Sequence, residues 1–345
     1  MIEIDGASHS GSGSVVRQAV AYAAVTGQPV RVVNVRARRP RPGLRHQHLR
    51  AIQAICQLVG GTLQGAAPGA RAFTFQPGRT APSGRHTWDI GSAGSTTMLA
   101  LALLPLLAVG AQPVAVELRG GLFQDFAPSL FHLRHALLPL LARMGATVRA
   151  ELVRPGYVPR GGGILRLAVI PARGPLRPLL AAQPGSLQRL WGIALASHLA
   201  QRRVSARMAD AARKTLAAAG QRVTIQEVED TSALQPGAAL ALFADLQGGT
   251  RLGADRAGAP HRAAEAIGTR VARQLQDELA SGACVDRFVA DQLLPFCALA
   301  AGDSRVRIPQ QTEHVRTGMW LARVFVGVQA RLEGQLLVVP GCGHA

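Results

Sequence analysis

Ala51-Ile52-Gln53-Ala54-Ile55-Cys56-Gln57-Leu58, then Gly60-Gly61, then Thr62-Leu63, reads as an apolar-faced helix, a glycine stop and a β-branched strand start. The same order occurs twice more. Leu137–Met144 ends at Gly145 and leads into Thr147-Val148, and Thr215–Ala219 ends at Gly220 and leads into Val223-Thr224-Ile225. Three such endings at wide, irregular spacing predict an α/β chain made of related units. Val30–Val35, Val114–Leu118 and Ile164–Val169 are short, Val-rich strand candidates, and Ile2-Glu3-Ile4 opens the chain as another. Residues Pro171 to Gly185 carry four prolines and two glycines and read as a linker. A Gly-rich passage from Gly248-Gly249 to Pro260 closes the segment that follows. That segment is expected to be an inserted small domain over 175–258, with 1–174 and 259–345 forming the large one.

Composition narrows the function. The 345 residues are 48% apolar but only 4% aromatic, so a large core must be built from Leu, Val, Ala and Ile. The formal net charge of +18 points to a polyanionic partner, nucleic acid before an anionic membrane, unless the arginines merely wet the surface. Lys214 is the only lysine, in an Ala-rich helical stretch with no Asp-Gly after it. This excludes a Walker A loop and argues against a lysine nucleophile. Cys56, Cys284, Cys297 and Cys342 lack CxxC spacing and read as reduced thiols. No signal peptide is read at the N-terminus. Met98 to Ala111 is apolar but too short for a span and contains Pro105, so it reads as a buried helix. A cytoplasmic protein without membrane association is expected.

Five stretches have the residue types for chemistry. Asp5-Gly6-Ala7-Ser8-His9-Ser10-Gly11-Ser12-Gly13-Ser14 precedes a helical pattern and suits phosphate, although such a loop alone reads first as a flexible turn. From Arg31 to Arg50 there are seven arginines and two histidines with no acid. Like charges at that density call for a counter-anion, and guanidinium forks match phosphate oxygens. Asp89-Ile90-Gly91-Ser92-Ala93-Gly94-Ser95-Thr96-Thr97 is a second Gly/Ser loop, open to a helix-capping or a phosphate role. Gly156-Tyr157-Val158-Pro159-Arg160-Gly161-Gly162-Gly163 reads as a structural bend. Thr312-Glu313-His314-Val315-Arg316-Thr317-Gly318 precedes an amphipathic helix, and residue chemistry alone does not single out His314 among ten histidines.

In order along the chain, these stretches resemble the RNA 3′-terminal phosphate cyclase family. The most specific passages are Arg36-x-x-Arg39-x-x-Pro42-Gly43-Leu44-x-x-Gln47-His48-Leu49, Ile90-Gly91-Ser92-Ala93-Gly94-Ser95, Gly156-Tyr157-x-Pro159-x-Gly161-Gly162-Gly163, Asp291-Gln292-Leu293 and His314-x-x-Thr317. The resemblance runs from Asp5 to about Phe325 and is weakest in the inserted segment. It implies an α/β fold: a large domain of three repeated units, helices packed on four-stranded sheets, with a smaller inserted α/β domain. It implies that His314 is the nucleophile and that Arg17, Arg36 and Arg39 bind phosphates. Gln47 and His48 match the polar pair after the Pro-Gly-Leu turn. Pro128 and Phe288 match the residues that sandwich adenine, and Asp291 and Gln292 those that meet the nucleoside. The implied reaction uses ATP and Mg²⁺ or Mn²⁺. A histidine–AMP intermediate activates the 3′-phosphate end of RNA, which closes to a 2′,3′-cyclic phosphate.

The chain departs from the family pattern at several places. Ser10 replaces a glutamate involved in holding metal, Ser14 a glutamine, Leu122-Phe123 a Thr-Asp, Gly318 an asparagine and Phe288 a tyrosine. The metal ligands are therefore left unassigned, and a weakened or altered metal dependence is expected, because a neutral serine does not replace a carboxylate's charge. The competing readings are a non-catalytic cyclase-like RNA-binding protein, an enolpyruvyl transferase of related repeated fold, which needs lysines, and a purely electrostatic RNA binder.

Overall fold

The computed structural model describes residues 1–344 and contains four four-stranded sheets. The first unit runs β1 (Ile2–Asp5), α1 (Gly13–Thr26), β2 (Val30–Val33), α2 (His46–Val59), β3 (Thr62–Gln64), β4 (Phe73–Gln76), in sheet order β1-β2-β4-β3. The first two strands pair parallel and the others antiparallel. The second unit repeats this plan with β5 (Gly84–Asp89), α3 (Thr96–Ala108), β6 (Val114–Gly120), a helical segment, β7 (Thr147–Arg154) and β8 (Gly163–Ile170). That segment passes from α4 (Leu130–His132) through a π-helical turn, Leu133–Leu137, into α5 (Leu138–Met144).

The third unit has the same topology but is split. Its first strand, β9 (Leu180–Ala181), lies inside the expected linker and pairs parallel to a strand more than a hundred residues later. Two residues at a sheet edge, just after Pro178, are what a Pro-rich stretch can supply to a ladder. The insertion follows: β10 (Leu187–Ser197), α6 (Val204–Ala217), β11 (Val223–Asp230), β12 (Gly237–Leu246), β13 (Arg251–Ala257) and α7 (Ala264–Ala280). The third unit then resumes with α8 (Arg287–Gln292), α9 (Leu294–Leu299), β14 (Ser304–Arg307), α10 (Glu313–Val326), β15 (Arg331–Glu333) and β16 (Leu336–Val339).

Two cores result. The insertion has its own, where Met208 and Leu216 of α6 and Val271 and Leu275 of α7 meet Leu240 and Leu242 of β12. Ala239, Ala241 and Phe243 on the other face of β12 join the main core instead. A strand buried on both faces has no polar alternation, which explains the run Ala238–Ala244. Because α7 shares the second core, we propose that the inserted unit extends past 258 to about Ala280.

The glycines that marked the expected helix ends, Gly60, Gly145 and Gly220, stand at φ 62°, 110° and 69°, the left-handed region that stops a helix without a Cβ penalty. In the main domain α1 packs against α2, α3 and α10, so the helices of all three units meet around it. The run from Met98 is buried in α3, with Pro105 inside the helix. Among the described residues no helix is long and apolar enough to cross a membrane.

Candidate active site

Three helices of 14 residues, α1, α2 and α10, bring their N-terminal ends to one cleft of about 690 Å³. Ser12, Gly13 and Ser14 line it from α1, Gln47 and His48 from α2, and Thr312 and His314 from α10. Free N–H groups and aligned peptide dipoles make such ends favourable for anions. Arg17, Arg36 and Arg39 line the same cleft, and Pro128, Phe288, Asp291 and Gln292 complete its wall. All ten site residues expected from sequence therefore surround one space.

His314 occupies the first turn of α10 because Thr312 caps that helix, its Oγ1 accepting from the Val315 N–H at 3.1 Å. The His314 Nδ1 lies 3.1 Å from Ser14 Oγ. Nε2 has no hydrogen-bond partner among the described residues. When Nδ1–H donates to Ser14, Nε2 carries the lone pair. Burial, then the positive charges of Arg17 and Arg39, hold the imidazole below its ordinary pKa against Glu313, so the neutral ring is favoured.

Ser14 belongs to a hydroxyl cluster. Its Oγ lies 3.1 Å from that of Ser10 and 2.9 Å from that of Ser12, and Thr317 donates to Ser10 at 3.0 Å. The serines that stand where the family pattern has glutamate and glutamine thus satisfy one another. Among the described residues no three His, Cys, Asp or Glu side chains group as metal ligands.

His48 is held by the start of α2, its Nδ1 accepting the Arg45 N–H at 3.3 Å. The neutral ring therefore carries its proton on Nε2, which lies against the start of α1; a Cβ at Gly13 would come within 2.2 Å of it. Burial, then the neighbouring arginines, push His48 down to about 3, so it remains an uncharged N–H donor. Arg36 adopts a left-handed φ of 53° and donates to the carbonyls of Arg41 and Gly43, both at 2.8 Å, which fixes the arginine-rich turn. Arg17 is buried, donates to Gln292 Oε1 at 3.3 Å, and is lowered by burial to about 10. Asp291, bonded to Gln292 at 2.9 Å, is raised by burial to about 7 although Arg17 opposes that shift.

One carboxylate fixes the far wall. Asp286 caps α8 by accepting from Phe288 and Val289, accepts from Gly253 of β13 at 3.0 Å, and meets His132 Nε2 of α4 at 3.0 Å. The second unit, the insertion and the third unit are thereby joined beneath Phe288, Asp291 and Gln292.

The remaining sequence expectations separate here. Residues 89–97 cap α3: Ser95 Oγ accepts from Met98 N at 3.2 Å, and the Ser95 N–H donates to Gln47 at 3.2 Å. Gly156–Gly163 is a bend that docks the insertion through Tyr157, whose hydroxyl lies 2.8 Å from that of Ser197. Leu122 and Phe123, where the pattern has Thr-Asp, are core residues, Phe123 packing on Phe131 and Tyr157. Gly318 gives α9 its space, since a Cβ there would meet Leu294 Cδ1 at 2.6 Å. Phe126, Arg256 and Arg270 also line the cleft and were not anticipated. They lie in three different segments and carry no local motif.

The fold and cleft define a class, three βαβαββ units around one helix-lined cleft with an inserted α/β domain. The sequence pattern of the RNA 3′-terminal phosphate cyclase family matches residues 8–332. The chain is 38% identical over 335 residues to an RNA 3′-terminal phosphate cyclase of Methanothermobacter thermautotrophicus, covering 97% of each chain. It is similar to proteins of the same name from Thermococcus onnurineus, at 38% identity with 97% and 96% covered, and Caldivirga maquilingensis, at 36% with 94% and 93% covered. The chain belongs to the RNA 3′-terminal phosphate cyclase family.

Proposed function

We propose that this chain uses ATP to convert the 3′-phosphate end of RNA into a 2′,3′-cyclic phosphate through a covalent AMP on His314. The observation that carries the reading is the position of His314: an imidazole with Nδ1 3.1 Å from Ser14 Oγ, in a cleft shared by three helix N-termini and Arg17, Arg36 and Arg39. Nε2 attacks the α-phosphorus; a P–N bond forms as the bond to the bridging oxygen breaks and pyrophosphate leaves. An oxygen of the RNA 3′-phosphate then takes the adenylyl group and frees the histidine. The adjacent 2′-hydroxyl attacks the activated phosphate, loses its proton and expels AMP. The arginines, the helix ends and the His48 Nε2–H stabilise phosphate charge throughout. Pro128 and Phe288 enclose the base, and Asp291 and Gln292 meet the nucleoside.

A protein-built metal site does not fit the first loop, which presents hydroxyls rather than carboxylates. Mg²⁺ or Mn²⁺ would be held by nucleotide phosphates and water, as small divalent ions often are, and would offset phosphate charge. Ser10→Glu is expected to change the metal response of the rate; an unchanged titration with either ion contradicts this account of the loop.

Incubation with ATP labelled at the α-phosphate is expected to leave acid-labile, alkali-stable label on the denatured wild-type chain and none on His314→Ala. Absence of label with either metal would favour a non-catalytic RNA-binding member, the reading to which the hydroxyl loop lends support.

A further inference from the structure

Among the described aromatic side chains only Phe126 and Phe288 are exposed, at 106% and 37%, and both line the cleft. Phe288 is already given to the nucleotide base. Phe126 is left with its ring entirely in solvent and a left-handed φ of 67°, a conformation bulky residues rarely adopt. Water-exposed apolar area and backbone strain both disfavour this placement, and no packing contact compensates for either.

Nor is the segment loose. Asp125 forms an ion pair with Arg262, at 2.7 and 3.1 Å, and the Ser129 N–H donates to Asp255 at 2.7 Å. Both anchors belong to the insertion or its flank, so Phe126 is held by two clamps that join the large domain to the inserted one. Two arginines lining the same cleft, Arg256 on β13 and Arg270 on α7, have guanidinium groups with no ion pair or hydrogen bond among the described residues. Arg262 and Arg287 beside them are bonded to Asp125 and Glu278. An exposed aromatic face with unpaired guanidinium groups nearby is the combination that holds single-stranded nucleic acid: bases stack, and phosphates meet cations.

We propose that Phe126 stacks the 3′-terminal base of the RNA substrate, while Arg256 and Arg270 carry the preceding phosphates along the insertion. This rests on the cyclase reading above and gives the inserted domain a task in that reaction, delivery of the strand to the cleft.

The test is the affinity of the full chain, without ATP, for a 5′-fluorescent single-stranded RNA with a 3′-phosphate, compared with the same RNA lacking only its terminal base. Wild type should prefer the complete RNA by roughly tenfold, the scale of one base–aromatic stack. Phe126→Ala should lose that preference and Phe126→Trp should keep it, which separates stacking from a folding defect. Replacing Arg256 and Arg270 together by Gln should lower the salt slope of log affinity by about two, one for each phosphate contact. The proposal is overturned if wild type binds both RNAs equally or if Phe126→Ala weakens both alike. If wild type neither takes label from ATP nor binds the RNA, the cyclase reading fails and the platform with it. Label and RNA binding without base preference would remove the platform alone.

Discussion

Asp5–Ser14 and Asp89–Thr97 are two Gly/Ser loops of the same make, each delivering a serine cap to a helix N-terminus. Ser12 caps α1, and Ser95 caps α3. Among the described residues the first loop lines the cleft and residues 89–97 do not. At its helix end the second is taken up by other backbone, the Thr96 N–H donating to the Gly121 carbonyl at 2.9 Å. A Cβ at Gly121 would come within 2.4 Å of the Ala93 carbonyl, and one at Gly161 within 2.7 Å of the Ser92 carbonyl. The first loop instead meets side chains, His48 at Gly13 and His314 at Ser14. A helix N-terminus becomes an anion site when its neighbours leave it open and bring polar groups to it.

The far wall of the cleft is where the largest loss is expected. His132→Ala leaves the Asp286 carboxylate buried without its cation and should cost about 3–5 kcal/mol, measured by denaturant unfolding. Burial alone would lower His132, but Asp286 overrides it and holds the imidazole at about 9. A base with a raised folded-state pKa contributes fully below its unfolded value of about 6.5, and that stability is lost as pH rises through about 9. The gap between wild type and His132→Ala should therefore narrow from pH 6.5 to 9; a constant gap contradicts a charged pair.

Gly13→Ala and Gly161→Ala set the two loops directly against each other. At Gly13 a Cβ displaces His48, and AMP transfer should fall by about 10², the scale of an ångström-sized misplacement near reacting groups. At Gly161 the clash is with backbone at a left-handed φ of 71°, so the loss should be in stability, with labelling per folded molecule retained. Equal loss of labelling in both would make the second loop part of the site.

Removing one hydroxyl from each loop has smaller effects. Ser95→Ala should reduce stability by about 1 kcal/mol without changing the pH or metal response of labelling. The smallest effect is expected for Ser14→Ala, where one hydrogen bond of roughly 0.5–1.5 kcal/mol orients His314. Its labelling rate should fall several-fold while the wild-type melting temperature is nearly kept. A rate equal to wild type would show that α10 alone fixes the ring.

How much was legible depends on sequence distance. Helix stops at Gly60 and Gly145, the buried helix at Met98 and the strands at Val30 and Val114 follow from local pattern, because caps and periodicity act within a few residues. β9 was hidden, since two residues after a proline have no period of their own. α7 read as an ordinary amphipathic helix, and nothing nearby in sequence says which core its apolar face joins.

The sequence by itself determined the α/β class, the repeated helix–glycine–strand units, the basic charge and, through a family resemblance, the ten residues expected at the site. Tertiary structure alone decided that those ten face one cleft, that the first Gly/Ser loop lines it while the helix end of the second meets other backbone, that Leu122, Phe123 and Gly318 answer to packing, and that Phe126 stands uncovered in the cleft that Arg256 and Arg270 also line. The division has one physical cause. Secondary structure is set by neighbours in the chain, whereas exposure, electrostatic environment and the meeting of residues 14 and 314 exist only once distant segments have packed.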